Sequence, residues 1–473
     1  MPGLAVILLA AVFSIAFAAG GASAPAPAAI HVFDRGSLHF SRLDNSLRVI
    51  VKEDHAAPLV AVSVVVRSGT RRETRLNNGI SHFLEHMIFR AARSGGEDRL
   101  GGPIESVGGV VNAGTLRDFN SFRTVTASAH LDLALDALAR NVLQPKFDDE
   151  AVFAERLVLL REAQQLADQP EVAVWDRAFD LAYGNHPYAL PIGGTRASLT
   201  GINGEVLAAF HRRWYTPDNA SVVIVGDVDP SAASQAAARA FGSWRPLQAQ
   251  DPAPIPPPPK LEERRELTER RDTPYATVFM GFLAPGIANP REVCATDLLL
   301  TVMGEGYASR LARALLETKL VDALSADFLT QEYPGLFGVR VNCSPRNVER
   351  VRAAIDKQIQ RLQQEPVAGD ELARGKRVLT HSYVFANETF EDQASTLGFY
   401  EAIATYEFAA TYLDQVNSLT ATELQAVARK YLEPRHSVWV AILPGAKGEG
   451  KPQVAGAGSA GAGMTGRAQE DAG

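Results

Sequence analysis

Residues 212–228, RRWYTPDNASVVIVGDV, have a counterpart in residues 428–444, ARKYLEPRHSVWVAILP. Each stretch closes an amphipathic helix that begins after Ser-Leu-Thr, turns at a proline and continues as an apolar strand. Because the two stretches end segments of similar length, they predict a duplicated domain. Coincidence between two common local patterns is the alternative that such short stretches leave open.

Two breaks divide the chain of 473 residues, which is too long for one ordinary core. The segment QAQDPAPIPPPPK, residues 248–260, is rich in proline and predicts an extended linker between domains. The segment after Leu443 is rich in glycine and has almost nothing to bury. We therefore predict an N-terminal domain at 29–246, a Pro-rich linker at 247–260, a C-terminal degenerate repeat domain at 261–443 and a disordered tail at 444–473.

Strands and helices interleave in the first half. Residues 47–69 predict two strands joined by a turn, and residues 109–127 predict another strand. Helices are expected at 79–92, 131–142 and 149–167. The order lacks the regular alternation of a parallel βαβ fold, so we predict the α+β class. We expect two homologous domains, each a mainly antiparallel sheet flanked by helices, which face each other across a chamber.

Composition narrows the possible partners. The chain is 46% hydrophobic and 21% charged, as in soluble globular proteins, and its formal net charge is −7. Lys and Arg are scattered among acidic residues, so nothing resembles a basic surface for nucleic acid. The two cysteines, Cys294 and Cys343, form no metal or disulfide framework, and either a pair or free buried thiols are compatible with the sequence.

The N-terminus predicts export. An apolar run from Leu4 to Ala19 is too short to span a bilayer comfortably and is followed by small residues. No Lys or Arg precedes the run, which leaves an uncleaved membrane anchor as the alternative. We predict a signal peptide at 1–24, a periplasmic or secreted protein, and no stable membrane span after signal removal.

Residues 79–90, GISHFLEHMIFR, carry the H-x-x-E-H pattern, which is a zinc-hydrolase motif. On a helix, His82 and His86 lie about 40° apart, so their imidazoles can share one metal ion. Glu85 lies about 60° to the other side of His82, where its carboxylate can take a proton from water. The rest of the helix is apolar, and a metal ion would offset the cost of placing His and Glu beside a core. The pattern predicts one Zn²⁺ per chain, with Glu85 as the base.

A catalytic zinc site needs a third protein ligand and one open position. The helix predicted at 149–167 offers Glu155 and Glu162, which are seven residues apart and so lie on one face. Spacing alone leaves open which glutamate binds, and both are equally compatible with solvated helix positions.

These residues resemble the pitrilysin and insulinase superfamily of inverted zinc metallopeptidases, which includes the mitochondrial processing peptidases and many bacterial relatives. Beyond the motif, four stretches occur in the family's order: SVVVRSGTRRET, GGVVNAGTLRD, NHPYALPIGGT and WYTPDNASVVIVGDV. The resemblance covers both predicted domains. Family members repeat the domain and lack the metal motif in the second copy, as this chain does.

The resemblance implies roles for four further residues. By their distance from the second histidine, Glu162 is the third ligand, and Glu155 is the outer residue that orients it or a histidine. Asn112 and Ala113 match the edge strand along which family members bind their substrate as an added β-strand.

The second half departs from the family pattern. Active single-chain relatives carry an Arg and a Tyr, seven residues apart, that reach the substrate carbonyl, and here Leu316 and Ala323 stand at those positions. Neither side chain donates a hydrogen bond, so the oxyanion of the transition state would lose its donors. Arg313 substitutes for the Arg only if the alignment shifts by a turn, and no Tyr follows it at the right spacing.

The sequence therefore predicts a zinc metalloendopeptidase subunit that hydrolyses flexible peptides, in a heterodimer whose homologous partner supplies the Arg and Tyr. A homodimer stays open. The rival interpretation is a non-catalytic scaffold or binding subunit of the same fold. A structural zinc site fits less well, because it would normally have four protein ligands and favour cysteine. Three other histidines, His55, His186 and His211, lack partners at metal spacing and are expected at the surface or in the core.

Overall fold

The computed structural model describes residues 32–90, 101–245, 254–445 and 453–454. The predicted signal peptide lies outside the described residues, and the predicted linker is described only from residue 254 onward. Of the predicted tail, residues 444–445 and 453–454 are described, and the last two form a short strand, which differs from the expected disorder at these two positions. No helix in these described ranges is both long and apolar enough to cross a bilayer.

Residues of the N-terminal half form one six-stranded sheet among the described residues. The strands are β1 Leu38–Arg42, β2 Arg48–Glu53, β3 Leu59–Val66, β4 Val110–Thr115, β5 Asn120–Ala127 and β6 Ala220–Gly226. Their order across the sheet is β1-β2-β6-β3-β5-β4. Only β2 and β6 are parallel neighbours, and every other pair is antiparallel.

The C-terminal half repeats this arrangement, except that one outer strand comes last in the chain, where the N-terminal half has its first strand, β1. Its strands are β7 Arg265–Arg271, β8 Ala276–Leu283, β9 Ala323–Phe328, β10 Leu336–Cys343, β11 Val438–Pro444 and β12 Gln453–Val454, in the order β12-β7-β11-β8-β10-β9. The strands β6 and β11, which end the two similar sequence stretches, hold equivalent positions, each parallel to one neighbour and antiparallel to the other. The prediction of a duplicated α+β fold is confirmed.

The prediction of one strand was wrong. The single strand expected at 109–127 is a hairpin, because the chain turns between β4 and β5, where the Leu116 amide donates to the Phe119 carbonyl at 2.9 Å. Gly69 lies against this turn with a φ of 65°, and a Cβ there would lie 2.4 Å from the Leu116 carbonyl oxygen. Only glycine fits this close approach without moving the backbone.

Fourteen helices are described in the covered ranges. They are α1 Ile80–Arg90, α2 Gly101–Ser106, α3 Leu131–Leu143, α4 Asp149–Asp168, α5 Pro170–Tyr183, α6 Arg196–Gly201, α7 Gly204–Trp214, α8 Pro230–Phe241, α9 Pro290–Gly304, α10 Val348–Gln364, α11 Gly369–Phe385, α12 Phe390–Ile403, α13 Glu407–Ser418 and α14 Ala421–Tyr431. The predicted helices at 131–142 and 149–167 are confirmed to within one residue as α3 and α4.

Each sheet is covered on one face by helices of its own half and on the other face by a helix of the opposite half. Val62 and Val64 of β3 point into a core shared with α1 and α3. Ala61 and Val65 point the other way, into a core shared with α12. At Gly398 of α12 a Cβ would lie 2.8 Å from Val65 Cγ2, so the absence of a side chain lets this helix approach the sheet.

The two halves exchange helices, because α5 of the first half likewise covers one face of the second sheet. Trp175 of α5 packs edge-to-face on Phe279 of β8, with ring centroids 5.1 Å apart. Ion pairs reinforce the exchange, since Arg48 of β2 pairs with Glu401 of α12 at 2.8 Å. The two cysteines, Cys294 and Cys343, are buried and free.

Candidate metal centre and active site

Helix α1 is fixed at its N-terminus by a buried carboxylate. Glu73 accepts hydrogen bonds from the backbone amides of Gly79 at 2.7 Å and Ser81 at 2.9 Å, and from the Asn78 side chain at 2.8 Å. These bonds satisfy amides that have no partner within the helix, and a negative group is favoured at this end. Burial raises the pKa of Glu73. The first turn of α1, which carries His82, is therefore held in place.

Three side chains converge on one point between α1 and α4. A ligand atom from each of His82, His86 and Glu162 lies within 4.8 Å of the other two. The two imidazole rings are nearly perpendicular, with centroids 4.6 Å apart, and His86 Nε2 lies 3.7 Å from Glu162 Oε2. The structure thus brings together the three residues that the sequence predicts as metal ligands.

The two glutamates of α4 have different surroundings. Glu155 lies within hydrogen-bond distance of His86 Nδ1, at 3.2 Å, and its side chain is 8% exposed, whereas that of Glu162 is 37% exposed. When Nδ1 donates its proton to Glu155, Nε2 presents a lone pair on the side of Glu162. Two imidazoles, one carboxylate and an outer carboxylate on a histidine make a donor set that fits a zinc ion with an open position.

Glu85 is half-buried on α1 and contacts the edge strand. Thr115 of β4 donates a hydrogen bond from Oγ1 to Glu85 Oε2 at 2.7 Å. Among the described strands β4 is the last in its sheet, paired only with β5. On β4, Asn112 is exposed and Ala113 is half-buried. The predicted base and the predicted peptide-binding strand are therefore neighbours.

Sequence reasoning missed the polar residues that surround Glu85. Thr115 ends β4 and Asn120 begins β5, and both were placed inside one continuous predicted strand. The segment between them, LRDF, contains no Gly or Pro, so composition did not mark the turn. The nearest usable signal was the loss of apolar alternation after Ala113.

The second half offers no donors at the predicted positions. Leu316 is half-buried in a short π-helical turn, Ala312–Leu316, and Ala323 is exposed at the start of β9. Arg313 is exposed on the same turn. Neither Leu316 nor Ala323 can donate a side-chain hydrogen bond, whatever faces them.

Three other histidines, His55, His186 and His211, lie outside this site. His55 is exposed between Asp227 at 2.7 Å and Glu53 at 2.9 Å, and these hydrogen bonds raise its pKa. His186 and His211 are buried, and burial lowers the pKa of each to about 4. The expectation of surface and core histidines is confirmed for these three.

Two models of known families match the chain. Residues 48–196 match the family described as insulinase, peptidase family M16, and residues 201–379 match the domain described as the peptidase M16 inactive domain. This chain belongs to the M16 peptidase family. The first match includes the whole of α1, α4 and α5, and the second match begins ahead of the predicted linker.

Curated M16 relatives align over most of the chain. An uncharacterized zinc protease of Bacillus subtilis is 25% identical over 82% of this chain and 93% of its own length. A zinc protease of Helicobacter pylori is 25% identical over 85% of this chain and 92% of its own length.

Solved structures share the two-domain M16 fold. A protease from Helicobacter pylori has a TM-score of 0.81 and 24% identity, over 86% of this chain and 99% of that chain. A peptidase M16 inactive domain from Pseudomonas fluorescens has a TM-score of 0.77 and 19% identity, over 86% of this chain and 98% of that chain. At these identities the likeness establishes the fold alone.

Proposed function

We propose that the chain is a zinc-dependent endopeptidase subunit that hydrolyses flexible peptides. The observation that carries the proposal is the convergence of His82, His86 and Glu162 within 4.8 Å. Glu85 lies on α1 together with the two histidines. The two relatives described above are both named zinc proteases, which supports the same chemistry.

Each residue of the site has a separate role. A bound zinc ion would supply a Lewis acid and a water of lowered pKa. Glu85 takes the proton from the attacking water at a carboxylate oxygen and returns it to the leaving amine. Glu155 holds the His86 ring so that Nε2 faces the site.

Substrate would add to β4 as an extended strand. An edge strand presents unpaired backbone groups, which bind an extended peptide by main-chain hydrogen bonds. Asn112 and Ala113 would lie beside the scissile region, because Thr115 of the same strand contacts Glu85. Recognition through the backbone suits flexible segments and excludes compact folded proteins.

A homologous partner would complete the site. Because Leu316 and Ala323 cannot donate hydrogen bonds, these two positions supply no side chain that would stabilise an oxyanion. We propose a heterodimer in which the partner supplies an Arg and a Tyr.

We also propose that the enzyme is exported and is periplasmic or secreted, with residues 1–24 removed. The apolar run at the N-terminus supports this proposal.

The test is cleavage of a quenched fluorescent peptide by the zinc-loaded chain, alone and mixed with a homologous partner that carries the Arg and Tyr. Glu85→Gln should lower the rate at least about 100-fold, because it removes the base. Glu150→Gln is the matched control, since Glu150 is an exposed glutamate in the first turn of α4. Activity only in the mixture, lost with Glu85→Gln, supports the proposal.

A non-catalytic scaffold is the second candidate, favoured by the match of residues 201–379 to an inactive domain. It predicts no cleavage in either arm and unchanged binding of the partner by Glu85→Gln. Strong cleavage by the chain alone would instead reject the need for a partner.

A further inference from the structure

Asn120 joins four segments around Glu85. Its Oδ1 accepts hydrogen bonds from the Ser68 hydroxyl and from the Gly69 amide, the latter at 3.4 Å. Its Nδ2 donates to the Ser81 carbonyl of α1 at 3.2 Å and to Thr115 Oγ1 of β4 at 2.7 Å. The Asn120 side chain is fully buried, and only its bond to the half-buried Thr115 is partly accessible to solvent.

Two of these contacts fix which way the Asn120 amide points. The backbone amide of Gly69 can only donate and the carbonyl of Ser81 can only accept, so Oδ1 must face Gly69 and Nδ2 must face Ser81. Nδ2 is then also the atom that faces Thr115, whose hydroxyl accepts from it. Since a hydroxyl has one proton, the proton of Thr115 is directed to Glu85 Oε2.

The loop that carries Ser68 is itself anchored to the other half of the molecule. Arg67 donates from Nε to the Ala402 carbonyl at 3.0 Å and from its terminal nitrogen to the Glu401 carbonyl at 2.5 Å, both at the end of α12. The series of contacts from α12 to Glu85 therefore includes one covalent step, from Arg67 to Ser68, and is otherwise hydrogen-bonded.

We propose that Thr115 is a positioning residue that orients the Glu85 carboxylate, and that Asn120 sets the direction of the Thr115 proton. The role of Glu85 as base rests on the function proposed above. Thr115 shares β4 with Asn112 and Ala113, so a peptide added to that edge and the base that serves it are held by one strand. A carboxylate that rotates away from its working geometry loses rate without losing substrate, because orientation and binding are separate contributions.

The test compares Thr115→Val and Thr115→Ala, which remove the hydroxyl, with Thr115→Ser, which keeps it. Both removals should lower kcat about 10-fold to 100-fold with KM within about twofold, and Thr115→Ser should stay within about threefold of wild type. Zinc content should be unchanged, and Tm should fall slightly in the two removals because the Asn120 amide loses an acceptor. Thr124→Val is the matched control, because Thr124 is a buried threonine of β5 whose hydroxyl has no hydrogen-bond partner among the described residues.

Crystal structures of Thr115→Val and Thr115→Ser separate this inference from the proposed function. We expect the Glu85 carboxylate to move in the first and to stay in the second, whether or not the protein cleaves peptides. An inactive wild type with that displacement would reject the peptidase and keep the positioning role. A Thr115→Val enzyme with wild-type kcat and an unmoved carboxylate would overturn the positioning role.

Discussion

The two halves share the order of five strands but use the helix after the central strand differently. In the first half, α1 follows β3 and brings His82, Glu85 and His86 to the site. In the second half, α9 follows β8 and buries Cys294 and Leu298 in the core. The same framework thus carries the proposed metal site in one copy and apolar packing in the other, which shows that the strand order does not itself require the polar residues.

The edge strands differ in the same way. In the first half the helix meets its edge strand through the hydrogen bond from Thr115 to Glu85. In the second half, a Cβ on Gly304 of α9 would lie 2.3 Å from Ala326 Cβ on β9, so the helix and strand meet through close apolar contact. A polar contact in one half therefore corresponds to a space-filling one in the other.

Removing a metal ligand should have the largest effect of these changes, because it removes the proposed metal site that distinguishes the first half from the second. We expect His82→Ala or Glu162→Ala to reduce zinc to background and to abolish cleavage, because two remaining ligands hold the ion too weakly. Zinc per chain by mass spectrometry is the measurement. His55→Ala, at the exposed histidine, should keep full zinc content, and a metal that persists in His82→Ala would place the site elsewhere.

The outer glutamate should have a smaller effect. Glu155→Gln keeps the shape of the side chain but weakens the acceptor on His86 Nδ1, and we expect zinc affinity to fall about 10-fold to 100-fold. Competition with a chelating dye measures it, with Glu150→Gln as control. Equal affinities for the two variants would mean that Glu155 does not orient His86.

Hydrogen-bond donors added at positions 316 and 323 of the second half should make cleavage less dependent on a partner. We expect Leu316→Arg combined with Ala323→Tyr to raise peptide cleavage by the chain alone about tenfold or more, since each donor to an oxyanion lowers the barrier. Leu316→Lys with Ala323→Phe tests whether charge and bulk suffice. No gain from Arg and Tyr would show that these positions do not face the substrate.

The reciprocal helices permit a test of packing. Gly398→Val should lower the free energy of unfolding by about 1–3 kcal/mol, because the new side chain meets Val65 on the sheet. Gly369→Ala is the control, since a Cβ at Gly369 meets nothing within 4 Å. Urea unfolding measures both, and a stable Gly398→Val variant would show that α12 can move away from β3.

Two buried ionisable groups, one in each half, respond oppositely to pH. Burial lowers the pKa of His211 to about 4, so the unfolded chain binds more protons below about pH 6.5 and this group destabilises the fold on acidification. Burial raises the pKa of Asp297 to about 7, so its stabilising protonated form is lost as the pH rises from about 4 through 7. Asp297→Asn should therefore gain stability relative to wild type as pH rises, by up to about 1.4 kcal/mol per pH unit in that window. Unfolding at pH 5 and pH 8 measures it, and a difference that does not change with pH would contradict the assignment.

Helical spacing alone predicted that His82, Glu85 and His86 share one face, because three residues on one helix need no tertiary information. It could not separate Glu155 from Glu162, since both lie on one face of α4 and only the position of His86 distinguishes them. Thr115 was missed for a different reason, because its role depends on a turn that has no Gly or Pro.

The fold was predictable in part for similar reasons. The alternation of apolar residues and the repeated helix–turn–strand ending indicated two related α+β units. The exchange of α5 and α12 was not predictable, because an amphipathic pattern shows that a helix has an apolar face but not which sheet covers it.

The exchange also affects how the chain can be made. The face of the first sheet that carries Ala61 and Val65 is covered only when α12 has been synthesised, as far as Ile403. Until then the nascent N-terminal half exposes valine-rich strands that attract other chains and chaperones. Because one face of the first sheet is covered by the second half, we expect a truncated product that ends at the proline-rich segment to be cleared by proteolysis instead of accumulating as a stable fragment.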